Sequence, residues 1–196
     1  MFTINKSKVA FTAAILTGVA LVASGCASSD PLAPETEAPA AGGETIVIGS
    51  QAYYSNEIIA EIYAQALENA GFEVSRDAFN SGQRDAYIPA LEAGEITLFP
   101  EYSGNLLQFF DPETEARTSE DVYAALPDAL PEGLFLASNV VPVVSGELPE
   151  GAAEIINEIS AALTPEGLVA LNVQSTVDQE STPDIATAWL TENGLI

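Results

Sequence analysis

The feature that most constrains the fold is a strand–helix–strand pattern that begins at residue 45. Thr45–Ile48 is a short β-branched run that ends at Gly49, which is typical of a buried strand. Apolar residues then recur at helical spacing, with Ser55 as the predicted N-cap and Gly71 as the C′ residue. A second strand is predicted over 72–79. This order predicts two parallel strands joined by a crossover helix.

The same alternation continues to the end of the chain. Pro127 is expected to kink or split the helix that Thr118 caps. Thr164 and Thr182 are the predicted caps of the last two helices. The other predicted elements are a helix over 84–93, strands over 96–99 and 134–144, a helix ending at 110, and helices over 151–163, 165–172 and 183–193. Strands that alternate with helices predict a single α/β domain.

The N-terminal segment has the pattern of an export signal. Lys6 and Lys8 precede an apolar run over 9–23, which is short for a membrane span and typical of a signal peptide. The following Ser-Gly-Cys resembles the lipobox of bacterial lipoproteins, and Cys26 is the only cysteine in the chain. We expect a signal peptide over 1–25, a lipidated Cys26 with a disordered tether over 26–43, and a location on the outer face of the cell membrane. The alternative is an ordinary signal peptide with an incidental cysteine.

Composition excludes several classes of function. The chain has 29 acidic and five basic residues, so it lacks the positive charge that nucleic-acid binding requires. It has no histidine, which excludes a Ser/His/Asp triad, a Cys/His dyad and a histidine-based metal site. We therefore predict neither an enzyme nor a cofactor or metal site. The acidity itself indicates a strongly hydrated surface or, alternatively, a basic or cationic partner.

Two loops, over 49–55 and 100–105, follow predicted strands, at the edge where open α/β sheets bind ligands. The first leads into a helix N-terminus, which suits a carboxylate, and both loops carry tyrosines, whose faces attract quaternary ammonium. Such residues suit a small zwitterion, but tyrosines at strand ends are more often core or rim residues. Chance acidic pairs such as Glu92 and Glu95, and the acidic turn over 111–115, indicate solvated surface. The candidate ligand-binding residues are Ser50, Gln51, Tyr53, Tyr54, Tyr102 and Asn105.

Two stretches resemble the substrate-binding proteins of ABC importers for glycine betaine, choline and related osmoprotectants. They are IVIGSQAYYSNEIIAEIYAQALENAGFEV and ALEAGEITLFPEYSGNLL, and the C-terminal segment is also similar to the family. The resemblance implies a type 2 periplasmic-binding-protein lobe over 44–196, with three layers and a mostly parallel sheet flanked by helices. It also implies ABC permease subunits as partners. Tyr102 matches the family's Pro-Glu-Tyr aromatic that faces the ammonium, and Asn105 matches a small polar ligand contact.

The chain departs from the family pattern in two places. Gln51 stands where lysine is usual, so a positive partner for a ligand carboxylate is absent from that position, and Tyr53 replaces the usual phenylalanine. The family's inserted second lobe has no counterpart, as if deleted near residues 134–137. The resemblance thus implies a solute-binding lipoprotein with a half-built site. The alternative is a lipid-anchored single-lobe interaction protein, or a degenerate paralogue, that captures no ligand.

Overall fold

The computed structural model describes residues 44–136, 141–146 and 148–196. The signal peptide, Cys26 and the tether are predictions that lie outside these residues. The described part of the chain contains five strands and seven helices. They are β1 (Ile46–Gly49), α1 (Tyr54–Asn69), β2 (Val74–Ala78), α2 (Arg84–Glu92), β3 (Leu98–Glu101), α3 (Ser103–Phe110), α4 (Ser119–Ala129), β4 (Leu134–Leu136), β5 (Val141–Ser145), α5 (Ala152–Ala162), α6 (Pro165–Thr176) and α7 (Thr182–Glu192).

The strands form one sheet in the order β2-β1-β3-β5-β4. Strand β1 is parallel to β2 and β3, whereas β5 is antiparallel to both β3 and β4. Four strands therefore point in one direction and β5 alone points in the other. The predicted strand–helix–strand unit and the mostly parallel sheet are confirmed.

Helices cover both faces of this sheet, because its strands are apolar on both sides. Leu98 and Val144 face a core built with α1, α5, α6 and α7, while their neighbours Phe99 and Val143 face a second core built with α2, α3 and α4. Alternation along a strand sends successive side chains to opposite faces. The result is the three-layer α/β lobe that the resemblance implied.

The prediction of one strand over 134–144 is wrong. The segment contains two antiparallel strands, β4 and β5, in which Leu134 pairs with Ser145 and Leu136 pairs with Val143. Residues 137–140, between them, lie outside the described residues. The apolar run concealed the reversal because strands buried on both faces show no polar alternation that would mark a turn.

Two predicted helix caps are also wrong, and two are confirmed. The N-cap of α1 is Tyr53 rather than Ser55, and no side chain caps it. The last helix begins one residue earlier than predicted, with Ser181 as its cap. The caps at Thr118 and Thr164 are present, each accepting a backbone N–H three residues on. Helix α4 is not split, since it runs through Pro127 to its end at residue 129.

No helix within the described ranges has both the length and the apolar character that a membrane span needs.

Candidate ligand-binding site

The two candidate loops meet because the strands before them are neighbours. Strand β1 pairs with β3 through Ile48 and Leu98, so the loops after both strands lie at one edge of the sheet. Asn56, in the first turn of α1, joins them. Its fully buried side chain accepts from the Gln51 N–H (2.7 Å) and donates through Nδ2 to the Pro100 carbonyl (2.8 Å). One amide thus fixes both loops.

An aromatic pair lies where the loops meet. The rings of Tyr53 and Tyr102 stack with centroids 6.1 Å apart and planes inclined by 20°. The hydroxyl of Tyr102 also lies 2.6 Å from Ser55 Oγ, in the first turn of α1. Tyr53 keeps 38% of its surface exposed, so the pair presents an aromatic face to solvent. The structure therefore brings together two of the six predicted residues.

Both phenols of the pair are uncharged at neutral pH. Burial, the neighbouring Tyr102 and the Glu101 carboxylate together raise the pKa of Tyr53 from 10.0 to about 12. Burial is also the main cause that raises the pKa of Tyr102. A neutral phenol ring carries the negative quadrupole face that attracts cations, which is the chemistry that recognises quaternary ammonium groups.

Ser50 and Gln51 hold the first loop in place and do not face solvent. Ser50 is fully buried, and its Oγ accepts the Asn80 N–H at 3.1 Å. Gln51 is 2% exposed and donates from Nε2 to the Tyr87 hydroxyl at 3.3 Å. Their hydrogen bonds attach the loop to the segment after β2 and to α2. Both residues therefore hold the first loop in position and are not accessible to a ligand.

The remaining two candidates lie on the outer surface. Tyr54, the first residue of α1, is 59% exposed, and Asn105 is exposed in the first turn of α3. Neither side chain hydrogen-bonds or stacks with the aromatic pair. They stand at the same edge of the sheet but are not part of the contact network.

A buried ionic cluster beneath the aromatic pair was missed by the sequence reasoning. Glu101 is 2% exposed, and its Oε2 accepts from Arg84 Nη2 at 2.6 Å and from the Tyr102 N–H at 2.9 Å. The Tyr87 hydroxyl donates to the other carboxylate oxygen. The only signal in the sequence was the Pro-Glu-Tyr motif itself, which contains the carboxylate but gives no sign of its partners on α2.

The surroundings favour the charged form of Arg84 and the neutral form of Tyr87. Burial acts to lower the pKa of Arg84, but the hydrogen bond and the attraction of Glu101 outweigh it, so the net direction is upward. Burial, with the adjacent carboxylate, raises the pKa of Tyr87. Arg84 is therefore held in its charged form beside Glu101, and Tyr87 is held as a neutral donor. The pair fixes the backbone of Tyr102, and with it the position of the aromatic face.

A groove of about 380 Å³ lies beside α2, away from the aromatic pair. Its walls are mostly small or apolar, with Asp77 and Glu95 among the lining residues. It shares Tyr87 with the ionic cluster and contains none of the six predicted residues. Across the described ranges, no three His, Cys, Asp or Glu side chains are grouped so as to hold a metal ion.

The fold and one segment of the sequence match known proteins. The structure of apo YehZ from Escherichia coli is similar with a TM-score of 0.63 and 14% identity, over 79% of this chain and 100% of that chain. That likeness shows the fold, a periplasmic-binding-protein-like lobe. No curated protein matches the sequence.

The family model for the substrate-binding domain of ABC-type glycine betaine transport systems matches residues 44–133. This segment runs from β1 through α4. It contains the aromatic pair, Asn56 and the whole ionic cluster, which form the junction of the two loops. This segment is thus similar to the substrate-binding domains of ABC-type glycine betaine transport systems.

Proposed function

We propose that this chain is an extracytoplasmic solute-binding lipoprotein of an ABC importer for glycine betaine, choline or related quaternary ammonium compounds. In this proposal a lipid on Cys26 anchors it to the outer face of the cell membrane, and it delivers ligand to permease subunits. The family match over 44–133 supports the substrate-binding role. The apolar run before Cys26 supports the anchor.

The single observation that carries the ligand class is the stacked pair of Tyr53 and Tyr102. The pair lies at the N-terminus of α1, which is the positive end of the helix dipole, and no side chain caps the first turn of this helix. Aromatic faces suit a trimethylammonium group, and uncapped N–H groups suit a carboxylate. Tyr53 is itself the N-cap residue of α1, so the aromatic pair adjoins the uncapped N–H groups. A betaine likewise carries its ammonium and its carboxylate close together.

The geometry of the pair also sets how strongly it can bind. A cation between two rings needs roughly 3.5–4 Å to the carbon atoms on each side. The 6.1 Å between the centroids of Tyr53 and Tyr102 is too narrow for that. The cation must therefore lie on an outer face, where a partly solvated contact contributes about 0.5–1 kcal/mol. We expect a Kd that is millimolar or weaker, since a millimolar Kd already requires about 4 kcal/mol from all contacts together.

The second candidate function is a single-lobe interaction protein that binds the permease or another partner without ligand. The burial of Ser50 and Gln51 favours it, because their polar groups are bonded within the protein and unavailable to a ligand. The two functions differ in one measurable property, which is the binding of a quaternary ammonium compound.

The test is a titration of the full chain in mild detergent with glycine betaine and choline, followed by ligand-observed NMR of the N-methyl signal. Tyr102→Leu removes the aromatic face, whereas Tyr102→Phe keeps the face and removes only the hydroxyl near Ser55. Phe135→Leu is the matched control, since Phe135 is an aromatic residue that is 55% exposed on β4.

The proposal expects saturable binding that Tyr102→Leu abolishes and that Tyr102→Phe and Phe135→Leu retain. Binding that is equal in all four proteins would place the ligand elsewhere. The absence of saturable binding to the folded wild-type chain would reject ligand capture and favour the interaction protein. A micromolar Kd would contradict the one-faced contact and indicate that a second copy completes the site.

A further inference from the structure

Arginine is scarce in this protein, and its three arginines are used differently. Arg76 is saturated by two carboxylates: Nε and Nη2 donate to Glu61, and Nη1 and Nη2 donate to Glu68. Arg117 donates through Nη1 to the backbone carbonyls of Thr114 and Ala116, in the segment before α4. These two guanidinium groups serve the fold.

Arg84 is different because it has one carboxylate instead of two. Its single hydrogen bond runs from Nη2 to Glu101, and Nε is buried without any partner. Nη1 likewise donates to no group in the described part of the chain. In a chain with 29 acidic residues, a partly buried guanidinium with unfilled donors is unexpected for a purely structural arginine.

The guanidinium group of Arg84 also lies close to the aromatic pair. The same oxygen, Glu101 Oε2, accepts from Arg84 Nη2 and from the backbone N–H of Tyr102. The ring of Tyr102 in turn stacks on Tyr53. Only 17% of the Arg84 side chain is exposed, so its unfilled donors stand in a partly dehydrated environment. Charge-assisted hydrogen bonds are strongest in such surroundings.

We propose that Arg84 is the carboxylate anchor of the site, which makes the chain a receptor for zwitterionic betaines in preference to choline. The inference rests on the proposed function and adds the residue that sets its specificity. Arg76 lies between two carboxylates, Glu61 and Glu68, whereas Arg84 has only Glu101. In our proposal the ligand carboxylate is the second partner of Arg84. The guanidinium fork presents two parallel donors to such a group.

This assignment also explains the glutamine at position 51. Gln51 brings no charge to the first loop, and its amide is occupied by Tyr87. The positive charge at the site comes instead from α2, through Arg84. The α1 N-terminus offers only a partial charge to the carboxylate, so the two sources can be separated by removing the guanidinium group.

The experiment compares glycine betaine with choline on the full chain in detergent, by the same NMR titration. Arg84→Lys keeps the charge that Glu101 needs but removes the fork. The double variant Arg84→Gln/Glu101→Gln removes both charges and so leaves no unpaired buried carboxylate. Arg76→Lys is the matched control, because it makes the same change in the arginine that bridges Glu61 and Glu68 on α1.

We expect the wild type to bind glycine betaine about tenfold or more tightly than choline, as one charge-assisted hydrogen-bond pair predicts. Both changes at Arg84 should lower the affinity for glycine betaine about tenfold more than the affinity for choline, because only the effect through Tyr102 is shared by the two ligands, while Arg76→Lys should leave both affinities unchanged. Retained preference for glycine betaine in the Arg84 variants would overturn the inference, assign the carboxylate to the α1 N-terminus and leave the proposed function standing. Failure of the folded wild type to bind either compound would overturn both.

Discussion

The side chain of Asn56 should stabilise the whole edge of the sheet that carries the site. It is fully buried and makes two hydrogen bonds, to the Gln51 N–H and the Pro100 carbonyl. Asn56→Ala leaves both backbone groups unsatisfied inside the protein, and each such group costs about 1–3 kcal/mol. We therefore expect the free energy of unfolding to fall by about 2–6 kcal/mol, a large share of the roughly 5–15 kcal/mol of a typical domain.

Urea denaturation of the full chain in detergent, followed by circular dichroism and by the fluorescence of Trp189, measures this loss. Trp189 is the only tryptophan and is 9% exposed against the core that contains α1. Asn69→Ala is the control, because Asn69 is an exposed asparagine at the end of the same helix and should change stability by less than about 0.5 kcal/mol. Equal midpoints for Asn56→Ala and Asn69→Ala would refute the reasoning that one amide holds the two loops together.

Two further predictions concern packing and charge. Gly49→Ala places a Cβ 2.6 Å from Phe99 Cδ2, so we expect the free energy of unfolding to fall by about 1–3 kcal/mol, measured by thermal denaturation. Gly104→Ala is the control, because its Cβ meets open space and should leave stability unchanged. Equal Tm values for the two variants would contradict the clash. The hydrogen bond from Arg76 holds the pKa of Glu68 below its usual 4.5, so its stabilisation is present above that pH and is lost as the pH falls through the folded pKa. Glu68→Gln should therefore lose stability at pH 7 and be less sensitive to acid than the wild type, and an unchanged acid slope in urea titrations would contradict the pairing.

Local signals were enough to predict most elements of the fold. The β-branched run before Gly49, the Thr118 and Thr164 caps and the glycine after α1 each act within a few residues, and the structure has the corresponding elements. The errors occurred where local signals conflict or are missing. Ser55 has the chemistry of an N-cap, yet its hydroxyl lies next to Tyr102, 47 residues away, and α1 begins before it. Tertiary contacts of this kind cannot be deduced from propensity.

The meeting of the two candidate loops was predictable from the sequence, whereas the contacts within the candidate site were predictable only in part. Strand order places the loops after β1 and β3 together, and the tyrosines in them were found because aromatic residues at strand ends are a recognisable chemical signal. The burial of Ser50 and Gln51, in contrast, depends on Asn80 and Tyr87. The partners of Glu101 come from α2, 14 and 17 residues earlier in the chain. No pattern in the sequence pairs those residues.

The candidate site has one aromatic face held in a fixed position and no second aromatic wall opposite it. The backbone N–H of Tyr102 donates to Glu101, and its hydroxyl hydrogen-bonds with Ser55. These two bonds fix the aromatic face of Tyr102 without a ligand. Such preorganisation removes part of the entropic cost of binding. The opposite side of the ligand, however, meets no second aromatic wall within the pair, because Tyr53 stacks against Tyr102 too closely to admit a cation. Under the proposed function we therefore expect this surface to bind a betaine weakly, and to gain affinity when a second protein surface, from another copy or from a permease, closes over it.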